Sequence, residues 1–121
     1  MTDFYPKTIN RSLIVLLPKQ PVLDWLLRVD PELSATTLAE LRQECDGILV
    51  PDRIEDFEDA QAWVHEHWKM FFEDYLADWY QDEEPWPKKR TLKMFKEWFE
   101  IQFTSMVWDF AEQPVVHHYD D

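Results

Sequence analysis

Apolar residues fall along this chain in two rhythms. Leu13-Ile14-Val15-Leu16-Leu17 is a continuous run that follows Ser12 and stops at Pro18. Its length and β-branched content predict a strand over 12–17 buried on both faces. After the Asp46-Gly47 turn signal, Ile48-Leu49-Val50 predicts a second strand over 47–50. Between the two, Pro21 opens a helix over 21–29 with Val22, Leu23, Leu26 and Leu27 turned inward, and Asp30-Pro31 ends it. A further short helix over 37–44 carries Leu38 and Leu41 on one face.

The longest pattern begins at Ile54. No Gly or Pro interrupts residues 54–81, and apolar side chains recur at 57, 60, 64, 68, 71, 72, 75, 76 and 79. That spacing predicts one long helix with a single broad apolar face. Asp52 is the natural N-cap, and Glu55, Asp56, Glu58 and Asp59 stand where the helix dipole favours negative charge. Pro85-Trp86-Pro87 closes the acidic stretch, and a turn or two of helix follows over 91–97. Residues 99–109 alternate as a strand would, although Leu92, Phe95, Phe99, Phe103, Met106 and Phe110 also fit a helical stripe. Their aromatic and β-branched content favours the strand.

The sum is an α+β fold: a small three-stranded sheet, with strands near 12–17, 47–50 and 99–109, covered by helices that include the long one near 54–81. The long connections between strands suggest crossovers. The expected core holds Leu13, Val15, Leu17, Ile48, Val64, Phe71 and Tyr75.

Composition narrows the classes. At 121 residues the chain has the size of one domain, spanning 1–121. With 45% apolar residues, 7 Trp and 8 Phe, it can fill a core that disordered acidic chains lack. Gly47, the single glycine, excludes a P-loop, a dinucleotide fingerprint and a nucleophile elbow, each of which needs at least two. Cys45, the single cysteine, excludes a cysteine zinc ribbon and a disulfide frame within the chain, and suits a reducing cytosol. Residues 1–6 show no basic leader, and a five-residue apolar run is too short to span a membrane. A soluble cytoplasmic protein is the expectation.

Charge is unevenly placed. Residues 52–84 carry 12 acidic against 2 basic side chains, net −10, whereas residues 85–99 carry 5 basic against 1 acidic, net +4. With −13 overall, the surface repels phosphate backbones and anionic lipid, so neither nucleic acid nor membrane is an expected partner.

Candidate chemistry is sparse. His65 and His67, two residues apart on a helix, point about 200° away from each other and cannot share one ion. The acidic runs lack the central glycine of a calcium loop. A tertiary cluster of Glu66, Glu73 or Asp74 with His117 and His118 is the one arrangement that spacing leaves open. Cys45 lies between Glu44 and Asp46, an unfavourable setting for a thiolate nucleophile. Ser12, Ser34 and Ser105 belong to no nucleophile motif. No cofactor or metal is therefore expected.

The aromatic surplus of the long helix, against a basic cluster at Lys88, Lys89, Arg90, Lys93 and Lys96, is the remaining signal. It points to a non-enzymatic protein–protein interaction module, with another protein or a second copy as partner. The expected contact residues are Trp63, Trp68, Phe72, Trp79, Tyr80, Lys88, Lys89 and Arg90. Two rivals stand beside it: a small carboxylate- or His-dependent enzyme, and an acidic mimic of nucleic acid.

Overall fold

The computed structural model describes residues 7–119, so the leader-free opening expected of residues 1–6 lies outside the described residues. The chain runs β1 (Lys7–Thr8), β2 (Arg11–Pro18), α1 (Gln20–Val29), a 3-10 turn (Pro31–Leu33), α2 (Leu38–Gln43) and β3 (Gly47–Pro51). It continues as α3 (Phe57–Glu66), α4 (Trp68–Trp79), α5 (Leu92–Trp98), β4 (Phe99–Thr104) and β5 (Trp108–Asp109). The class is α+β. Three strands form an antiparallel sheet ordered β3-β2-β4, and β1 pairs with β5 in a second, two-stranded sheet. Of the crossovers expected, only the β3-to-β4 connection passes over another strand, the central β2; the long connection from β2 to β3 joins antiparallel neighbours.

Local chemistry sets most boundaries. The Thr37 and Thr91 hydroxyls accept from the amides of Glu40 and Met94, so α2 and α5 start where side chains satisfy free N–H groups. Asp56, and not Asp52, caps α3, accepting from the Asp59 amide at 2.8 Å.

The long helix expected over 54–81 is two helices. His67 Nδ1 donates to the Trp63 carbonyl at 2.8 Å. That carbonyl is the one the His67 amide would use in a continuous helix, and the amide turns instead to Val64 at 3.0 Å. A side chain thus competes with the helix ladder and interrupts it at His67 with no Gly or Pro present.

The strand expected over 99–109 is also divided. β2 offers β4 a partner only as far as Leu13, opposite Thr104. Beyond it the chain leaves the sheet, and β5 joins β1, with Ile9 donating to Val107 at 3.0 Å.

The buried faces differ from the expected ones. In β2 it is Ser12, opposite Val50, and Ile14 that turn into the core, whereas Leu13 and Val15 are only partly covered. Leu17 and Val64 are buried as expected, but Ile48, Phe71 and Tyr75 keep some exposure. β2 is therefore not buried on both faces: Leu49, across from Leu13, is 49% exposed. Ser12 tolerates the core because its hydroxyl donates to the Ile54 carbonyl at 2.8 Å.

On α4 the deep residues are Phe72 and Leu76. Phe72 is 0% exposed, its ring 5.3 Å from Trp98, 5.6 Å from Phe99 and 5.9 Å from Phe95. Buried aromatic packing absorbs much of the surplus seen in the sequence.

Candidate interaction groove

A groove of about 740 Å³ opens between α2, the start of β3 and α4. Its apolar floor comes from Leu16, Leu41, Ile48 and Phe99, and Phe71, Tyr75 and Trp79 add aromatic walls. Sequence spacing explains the wall: residues 71, 75 and 79 repeat at i, i+4, so they share one side of α4. The same repeat places Asp74 and Asp78 along the groove, and Glu40 and Glu44 line it from α2, with Asp46 at the β3 end. Among the described residues, the lining holds no Lys, Arg or His.

Its electrostatics follow. Burial, then the charges of Asp46 and Asp74, push the Asp78 carboxyl above its ordinary value. Burial also pushes the Tyr75 hydroxyl up; the Trp79 side chain pulls it part of the way back, and Asp78 and Asp46 push it up again. Crowded carboxylates without a counter-charge favour a cation.

Asp78→Asn should relieve that crowding. A carboxyl whose folded value is raised contributes stability that is fully present below 3.8 and lost as pH rises through the folded value. At neutral pH the charged form is the strained one. The variant should therefore melt higher at pH 7 and low salt, by an amount within about 1 kcal/mol given solvent screening. The gain should shrink in high salt and vanish below 3.8, which thermal melts across pH and salt can check.

The structure disperses the expected contact residues. Phe72 is a core residue and cannot touch a partner. Trp63 is half-buried, its ring tilted against His67 at 4.6 Å and near Phe71 at 5.6 Å. Trp68 packs against the core. Tyr80 meets Trp25 edge-on at 5.7 Å, and its carbonyl accepts from Trp86 Nε1 at 2.8 Å. Trp79 alone among these aromatics lines the groove, at 37% exposure.

The basic cluster divides as well. Arg90 folds back onto its own molecule: Nη2 meets Glu73 of α4 at 3.4 Å, Nη1 donates to Pro87 at 2.7 Å, and the guanidinium lies 5.4 Å from the Trp86 ring centre. Lys88 donates to the Glu84 carbonyl. Lys89, Lys93 and Lys96 are exposed and make no ion pair among the described residues.

Among the described residues no group of three or more His, Cys, Asp and Glu gathers to hold a metal ion, so the cluster of Glu66, Glu73 or Asp74 with His117 and His118 does not form. Nor is any helix long and apolar enough to cross a membrane.

Sequence reasoning placed Tyr75 in the core, gave Asp74 only to a cluster with His117 and His118, and singled out Asp78 for nothing. Their common i, i+4 edge was visible; the wall facing them, from α2 and Asp46, was not. Comparison of the chain with family models, curated proteins and solved structures finds no match.

Proposed function

We propose that this protein is a non-enzymatic interaction module whose groove receives a cationic segment of a protein partner. One observation carries this: aromatic rings and five carboxylates share a cleft whose lining has no basic side chain among the described residues. Aromatic faces and carboxylates both attract ammonium and guanidinium groups, the first through the ring quadrupole and the second by charge. The same carboxylates oppose a phosphate backbone, which supports a protein partner over nucleic acid. Cys45, half-buried with its thiol donating to the Arg42 carbonyl at 3.5 Å, supports placement in a reducing cytosol.

Calorimetric titration with a lysine-rich peptide tests the proposal. Binding is expected at low salt, weakening steeply as salt rises, and lost in an Asp74→Asn/Asp78→Asn variant that still melts cooperatively. A glutamate-rich peptide should give no heat. Equal binding by wild type and variant, or none by either, rejects the groove as the contact surface.

A further inference from the structure

The exposed lysines of α5 and the groove carboxylates of α4 recur at similar spacings. Lys93 and Lys96 lie at i and i+3 on α5 and share one side of it, and Lys89 is exposed in the irregular segment that leads into the helix. At about 1.5 Å rise per residue, the helical pair recurs roughly every 5 Å. Asp74 and Asp78 on α4 recur every roughly 6 Å by the same geometry. Within one molecule the two rows do not meet. Arg90, rather than any of these lysines, is the cation that α5's leading segment sets against α4, and it meets Glu73.

Glu73 and Asp74 are adjacent residues, about 100° apart around α4. Arg90 therefore marks the Glu73 side of α4 and the groove its Asp74 side, whereas Lys96, further along α5, acts on His65 of α3. We propose that the groove is filled by the exposed lysines of a second copy, in a two-fold dimer that seats each copy's Lys89, Lys93 and Lys96 over the other's Asp74 and Asp78. This rests on the groove being a cation-accepting surface and names its occupant. A two-fold contact suits a basic patch and an acidic groove on one chain, because one operation satisfies both. Each copy carries net −13, yet at about 0.15 M salt charges beyond roughly 8 Å are screened, so the contact row outweighs the distant repulsion.

Charge exchange tests it. By sedimentation velocity at micromolar concentration and about 0.15 M salt, wild type should be a dimer that weakens at least about tenfold near 1 M salt. A Lys89→Glu/Lys93→Glu/Lys96→Glu variant should be monomeric, as should Asp74→Lys/Asp78→Lys. Their equimolar mixture should recover a dimer, because each groove again faces opposite charge. Zero-length carbodiimide coupling of wild type needs no variant: it should join those lysines to Asp74 or Asp78 between copies, read by mass spectrometry of the dimer band. A monomeric wild type, a mixture of folded variants that stays monomeric, or a dimer without those cross-links overturns the proposal. If wild type is monomeric but the lysine-rich peptide still binds, the groove keeps its function and only the occupant is wrong.

Discussion

Phe72→Ala is expected to destabilise the protein by about 3–5 kcal/mol, the cost of emptying a well-packed aromatic site. The ring is 0% exposed and touches α5 and β4 through Phe95, Trp98 and Phe99, so no single element can move in to fill the space. With the whole fold of a domain worth only about 5–15 kcal/mol, such a loss is a large fraction of the total. The control is its neighbour. Phe71 lines the groove and keeps part of its surface in water, so Phe71→Ala should cost clearly less, under about 2 kcal/mol. Urea unfolding followed by circular dichroism separates the two: midpoints should fall by different amounts with the slope unchanged. Equal losses would mean that α4 is rotated from the orientation described.

Trp86→Ala is expected to cost a comparable amount, about 3–5 kcal/mol, and to loosen the segment between α4 and α5. Although it stands in a run without regular structure, Trp86 is 7% exposed. Its Nε1 donates to the Tyr80 carbonyl at 2.8 Å and its ring lies beneath Arg90. Trp25 grips the same turn from α1, donating to the Pro85 carbonyl at 2.8 Å. Removing Trp86 leaves the Tyr80 carbonyl and the Arg90 guanidinium without those partners. Trypsin should then cut at Lys88 and Lys89 much faster than in wild type, because the turn opens without global unfolding. Trp86→Phe should keep most of the packing and lose only about 1 kcal/mol with the hydrogen bond. A Trp86→Ala protein of near wild-type stability and protease resistance would show that the turn is held by the prolines alone.

The sequence by itself determined where elements form wherever the cause is local. Apolar rhythm, Pro18, Pro21, the Asp46-Gly47 turn signal and Thr37 and Thr91 as caps acted within a few residues, and β2, α1, α2, β3 and α5 stand where they placed them. Only the tertiary structure decided which faces turn inward. In β2 the even and odd residues are both apolar, so periodicity gave no preference; Ser12 and Ile14 are buried and Leu13 and Val15 only partly, and the Ser12 hydroxyl meets the Ile54 carbonyl forty-two residues away. On α4 a broad stripe of rings offered Phe71 and Phe72 alike, and the packing of α5 and β4 selected Phe72. The break at His67 depended on which way one imidazole turned, and composition carries no trace of that. The groove is the extreme case. Asp74, Tyr75 and Asp78 become a site only when α2 and Asp46 are brought opposite them, and pairing of residues some thirty positions apart is fixed by the packed core, not by local pattern.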